Sequence, residues 1–187
     1  MIKTVMAGAI AMAMVSFGAN AAPGAAGAAQ LSKNQGQGVV NFKGTVIDTP
    51  CGISPDSVDQ SIDFGQISKS HLSNGGTSVQ KNLDIKLVNC DISTASAMKS
   101  VSVTFSGANV GTQKNELGTS GGTGTAIVVS GADGKLVSFD GTSTNAKTQL
   151  KAGDNILHYS TWVKQATGGT ISEGDFSAVA NFNLTYE

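Results

Sequence analysis

The chain contains no arginine: all twelve of its basic residues are lysine. Arginine is the side chain best suited to grip phosphate or carboxylate through two hydrogen bonds at once. With a formal net charge of −1, the chain also lacks the basic footprint that nucleic-acid binding requires. Charged residues make up only 13% of the 187 positions, about half the usual share. Hydrophobic residues still reach 40%, which separates the sequence from disordered acidic chains and is enough to bury a core. Aromatic residues are scarce at 5%, with a single tryptophan, Trp162, so no sugar-stacking platform is evident. No His-Glu-x-x-His, phosphate-binding loop, dinucleotide glycine set or EF-hand loop is present, and no cofactor or metal is implied. What is plentiful is glycine, at 24 residues, together with serine, threonine and valine, a composition that points to β structure.

The N-terminus has the layout of an export signal. Lys3 supplies the positive start, Val5–Val15 is apolar throughout, and Ala19 and Ala21 fit a small-residue cleavage site. A cut after Ala21 is expected, leaving no transmembrane segment in the mature chain. Export implies an oxidising compartment, and the two cysteines, Cys51 and Cys90, then read as one disulfide. Neither has a histidine or another cysteine at metal-ligand spacing. Closing that loop is worth roughly 4 kcal/mol in the chain-entropy view.

After the low-complexity run Pro23–Ala29, an alternating stretch begins at Gly36. Gly36, Gly38, Val40, Phe42 and Gly44 share one face of a predicted strand, which Thr45-Val46-Ile47 continues. Further strands are expected at Ser61–Phe64, Leu83–Val88, Val101–Phe105, Thr125–Val129, Leu136–Phe139, Ile156–Val163 and Phe176–Tyr186. Glycine-rich turns separate them, and Asp133-Gly134 marks a hairpin. Short strands at regular spacing indicate an all-β sandwich or barrel. No segment holds a helical period, and Ala95–Lys99 is at most one turn.

The last predicted strand is the most regular. Phe176, Ala178, Ala180, Phe182, Leu184 and Tyr186 alternate with Ser177, Val179, Asn181, Asn183, Thr185 and Glu187. Such an apolar face at the end of a chain needs a covering partner. Catalytic readings fail beside it. Gly118-Thr119-Ser120-Gly121-Gly122 matches the Gly-x-Ser-x-Gly pattern, but a nucleophile elbow leads from strand to helix, whereas here a loop leads into a predicted strand. His71 and His158 are isolated, and Asp133, Asp140 and Asp154 occupy turn positions.

An ordered set of segments resembles the chaperone–usher pilins, in particular their major, rod-forming kind. It comprises residues 36–46 (GQGVVNFKGTV), Asp48-Thr49-Pro50-Cys51, Ser61-Ile62-Asp63-Phe64-Gly65, Leu87-Val88-Asn89-Cys90, residues 122–127 (GTGTAI) and Phe176–Tyr186. The family's C-terminal signature is a penultimate aromatic, here Tyr186, with a glycine fourteenth from the end, here Gly174. Relative to the usual form, Ala25–Asn34 looks like added length.

The resemblance implies an immunoglobulin-like β-sandwich that lacks its last strand and carries an N-terminal donor-strand extension. It divides the chain into a signal peptide (1–21), an extension (22–44) and a pilin domain (45–187). Gly36, Gly38, Val40, Phe42 and Gly44 would be the donor face. Gly174, Phe176, Ala178, Ala180, Phe182, Leu184 and Tyr186 would line the groove that receives a strand from a periplasmic chaperone and then from another subunit. Implied partners are identical subunits, that chaperone, an outer-membrane usher and adaptor pilins. The implied destination, through the periplasm, is a fimbria on the cell surface. A minor adaptor or terminating pilin shares the motifs, and a secreted carbohydrate-binding sandwich is the alternative from another class.

Overall fold

A computed structural model describes residues 38–93, 98–143 and 146–187. The signal segment, Gly36 and most of the turn expected at Ala95–Lys99 lie outside them. The chain divides into two units, 1–44 and 45–187. In the first, residues 38–44 have no regular secondary structure, and Val39, Val40 and Phe42 are exposed, Phe42 at 91%. In the second, Thr45-Val46-Ile47 does not form the expected strand, and Val46 is fully exposed. Alternation prepares a segment for a sheet but supplies no neighbour to pair with.

The second unit is built from two antiparallel sheets. The larger contains β1 (Gly52–Ile53), β2 (Lys81–Cys90), β4 (Asn109–Val110), β5 (Gln113–Gly118), β6 (Thr125–Gly131) and β8 (Gly153–Gln165), in the order β1-β2-β8-β6-β5-β4. The smaller is β7-β3-β9, with β3 at Ser100–Gly107, β7 at Thr148–Gln149 and β9 at Ala180–Tyr186. Ile85 and Leu87 of β2, Val101, Val103 and Phe105 of β3, and Leu157 and Tyr159 of β8 meet in the core. Phe105 is its hub, with edge-on contacts to Tyr159 at 5.2 Å and Phe139 at 6.5 Å. This is the immunoglobulin-like all-β architecture expected. The disulfide Cys51–Cys90 is present, spans 39 residues and ties the approach to β1 to the end of β2.

Several expected strands are altered. Ser61–Phe64 forms no strand, although Ile62 and Phe64 are half-buried and Ser61 and Asp63 exposed, as alternation requires. Leu136–Phe139 keeps only the bridge Leu136↔Ser130, yet Val137 and Phe139 are buried. Phe176–Tyr186 is a strand only from Ala180. Two short helices appear, α1 (Pro55–Val58) and α2 (Lys69–Ser73). Both are too short to display a period, although Pro55 opens α1 where its missing N–H costs nothing. Strand β5 is also unheralded, because its middle holds a charge. Glu116 is buried and accepts hydrogen bonds from Lys164 Nζ at 2.6 Å and from the Thr167 amide and hydroxyl at 2.8 and 2.6 Å.

Candidate functional site

Strand β9 lies at an edge of its sheet, paired to β3 and, among the described residues of its unit, to nothing on the other side. Its pairing phase determines what that side offers. Ser100 and Glu187 exchange both backbone hydrogen bonds, each 2.9 Å. In an antiparallel ladder such pairs alternate with pairs that turn their backbone groups outwards. Thr185, Asn183 and Asn181 therefore direct their amides and carbonyls to β3, opposite Ser102, Thr104 and Ser106. Tyr186, Leu184 and Phe182 direct theirs to the open edge.

The same three residues point their side chains towards the core and are only half-buried there. Phe182 rests against Phe105 at 6.4 Å. Partial burial holds the Tyr186 phenol above its ordinary pKa of 10.0. Period-2 geometry thus puts unfinished hydrophobic contacts and unpaired backbone groups on one set of residues. The half-buried face continues through Ala178 and Phe176, whereas Ala180 and Gly174 are exposed.

The stretch before β9 is tied instead to the loop between β5 and β6. Ser177 O accepts the Ser120 amide at 2.8 Å and the Ser120 hydroxyl at 3.1 Å. Ser172 N donates to Thr123 O at 3.0 Å. A hydroxyl chain, Thr119–Thr125 and Thr123–Thr125, both 2.8 Å, fixes that loop from within. At Gly121, φ is 93°, and a Cβ there would run into the Asp175 carbonyl. The serine of the Gly-x-Ser-x-Gly match is therefore engaged in holding this wall. The sequence marks residues 118–124 as a glycine-rich turn with a Gly-x-Ser-x-Gly match, and residues 122–127 as part of the family resemblance, but not as a wall of the groove.

Opposite this wall runs the segment Ser61–Ile67. A cleft of about 560 Å³ separates the two near Gly174–Phe176, with Thr123 and Thr125 also lining it. Phe64 and Phe176 face one another across it at 6.5 Å, and Lys69 Nζ lies 3.7 Å from the Glu173 carboxylate. Among the described residues, Ser61–Ile67 makes no backbone–backbone hydrogen bond; Gly65 N is held by the Asp63 carboxylate at 2.7 Å. The structure thus brings Phe176, Ala178, Phe182, Leu184 and Tyr186 into one wall. It leaves Gly38, Val40, Phe42 and Gly44 in the other unit, where a Cβ on Gly38 or Gly44 would meet nothing within 4 Å. No group of three or more metal-ligating side chains occurs among the described residues, and none of their helices is long and apolar enough to cross a membrane.

Known proteins are similar to this chain in sequence and in fold. The fimbrial protein family matches residues 40–187. The Pap fimbrial major pilin protein of Escherichia coli is 55% identical over 195 aligned positions covering all of both chains. A solved chaperone–usher pilus, described for the molecular basis of its rod uncoiling, matches with a TM-score of 0.76 at 54% identity, covering 82% of this chain and 97% of that one. The crystal structure of the P pilus rod subunit PapA matches with a TM-score of 0.69 at 53% identity, covering 74% of this chain and all of that one.

Proposed function

The chain belongs to the fimbrial protein family, and from that premise we propose that it is a structural subunit of a chaperone–usher pilus rod, joined to its neighbours by strand addition at the open edge of β9. The observation that carries this reading is the coincidence on Phe182, Leu184 and Tyr186 of inward, half-covered side chains with outward, unpaired backbone groups. An added strand completes both at once. Its main chain pairs with β9, and alternate side chains fill the space between β9 and Ser61–Ile67.

The donor is residues 36–44 of another copy. Val40 and Phe42 carry its apolar area, about 1.5–3 kcal/mol each if fully buried. Gly38 lets the backbone approach where a side chain would stand in the way. Before assembly, a periplasmic chaperone supplies the strand, and an outer-membrane usher exchanges it for a subunit's. Adaptor pilins join the rod to what lies beyond it. The assembled fimbria stands on the cell surface, where it supports adhesion, and the subunit's role is structural rather than catalytic. The rod-subunit relatives favour this over a minor adaptor or terminating role.

Two variants test the donor assignment. A mature chain deleted through Phe42 is expected to be bound by the chaperone and to accept a strand but not to give one, so mixing it with wild type shortens the pili. Gly38→Arg is expected to fold, to bind the chaperone and to fail to polymerise. Full-length pili from both variants would show that residues 36–44 are not the donor.

A further inference from the structure

Segment Ser61–Ile67 forms one side of the cleft without backbone–backbone hydrogen bonds of its own among the described residues. Apart from side-chain contacts such as Phe64 with Phe176, it is held through its ends. Downstream, it runs into α2, where Leu72 is buried at 3%. Upstream, the chain is fastened to the outer edge of β2 by side chains. β1 pairs with Val88 and Leu87, and Ser54 N then donates to Lys86 O at 2.9 Å. Past that point no strand continues. Ser57, 2% exposed, turns its hydroxyl to the edge and accepts the Lys86 amide at 3.0 Å. Gln60 Nε2 donates to Asp84 O at 2.9 Å and to Ser57 O at 3.3 Å. Two side chains therefore take the places that backbone groups of a neighbouring strand would occupy.

We infer that Ser57 and Gln60 are positioning residues for strand capture: by pinning residues 54–60 to β2 they hold Ser61–Ile67 at the distance from β9 at which an incoming strand fits between the two. This rests on the strand-addition reading above. Gln60 is immediately followed by the unpaired segment, so its hydrogen bond to Asp84 is the last fixed point before Ile62 and Phe64 enter the cleft. Strand spacing in a sheet is close to 4.8 Å, so a gap receiving one strand tolerates little drift of either side. The side-chain pins leave the backbone of Ser61–Ile67 uncommitted, while a continued β1 would have carried it along β2.

The test uses the mature full chain carrying Gly38→Arg, which receives strands but does not donate, and a fluorescent peptide of residues 36–44. Capture and release of the peptide are compared for that chain, for Ser57→Ala/Gln60→Ala added to it, and for Val163→Ala added to it as a control at a buried residue of β8 that does not line the cleft. The double variant is expected to release the peptide about tenfold faster, equivalent to one net hydrogen bond. Val163→Ala lowers thermal stability at least as much and leaves release unchanged. Equal release from the double variant and its parent, or equal acceleration by the core control, overturns the inference. Absence of capture by the parent chain sinks the strand-addition reading instead. Amide exchange across residues 61–67 of the peptide-free chains then decides the present inference: selective acceleration in the double variant supports it, and no change rejects it.

Discussion

The outer edges of β2 and β9, two long strands of the second unit, are finished in opposite ways. The outer edge of β2 is occupied along Asp84–Val88 by β1, the Ser54 amide and the side chains of Ser57 and Gln60, and the disulfide Cys51–Cys90 lies at its end. The outer edge of β9 is unoccupied among the described residues of its unit, although its inward residues are Phe182, Leu184 and Tyr186. An exposed edge of this kind is an aggregation hazard that proteins normally blunt. Here one edge is blunted with side chains that do not extend the sheet, and the other keeps a full set of donors and acceptors. In the proposed strand addition, this contrast would direct the incoming strand to β9.

The largest effect is expected from attacking the open edge. Phe182→Asp places a carboxylate against Phe105, on the face that an added strand covers. An unpaired charge there costs on the order of 5 kcal/mol once enclosed. Binding of the peptide of residues 36–44 and co-purification with the chaperone should both disappear. Normal co-purification would mean that this face of β9 is not the acceptor.

The occupied edge is probed by removing the disulfide. Replacing Cys51 and Cys90 together by alanine frees a 39-residue separation, and the expected loss is about 4 kcal/mol in urea unfolding of the mature chain. Amide exchange should rise at Lys86 before it rises in the centre of β8. If both rise together, the disulfide stabilises the whole unit with no particular hold on the β2 edge.

A smaller effect is expected at Glu116, which belongs to neither edge. Burial pushes its carboxyl up, but hydrogen bonds from Lys164 and from the Thr167 hydroxyl and amide, with the Lys164 charge, outweigh burial and leave it below the ordinary 4.5. A carboxyl lowered in the folded state stabilises the protein fully above its unfolded value, and that contribution is lost as pH falls below about 4.5 through the folded value. Glu116→Gln should therefore reduce neutral-pH stability by about 1 kcal/mol and flatten the acid limb of the stability curve. It should leave peptide capture unchanged, since Glu116 is bound to Lys164 and Thr167 and does not line the cleft.

Much of this was legible in the sequence where a residue's neighbours follow from its own alternation. Leu83–Val88 and Ile156–Val163 fall inside β2 and β8, and of the even-numbered residues of Phe176–Tyr186 all but the exposed Ala180 are half-buried along one wall. Alternation was silent on pairing. Ser61–Phe64 has the burial rhythm of a strand without a partner, and Phe176–Val179 is fastened to the β5–β6 loop before the chain joins β3. Strand β5 carries the polar run QKNELG, and the stabilisation of Glu116 comes from Lys164 and Thr167, far along the chain. The seal on β2 was invisible for the same reason. Ser57 and Gln60 are unremarkable polar residues until the fold places Lys86 and Asp84 beside them.

The central claim is that residues 36–44 of one copy pair with the open edge of β9 in another. Residue-resolved amide exchange of the Gly38→Arg mature chain, with and without excess peptide of residues 36–44, tests it most directly. The account predicts new protection at Phe182, Leu184 and Tyr186. Asn181, Asn183 and Thr185, already bonded to β3, should change little, and so should Lys86 on the occupied edge. Protection that appears at neither Phe182, Leu184 nor Tyr186, or that appears along β2 instead, would contradict it.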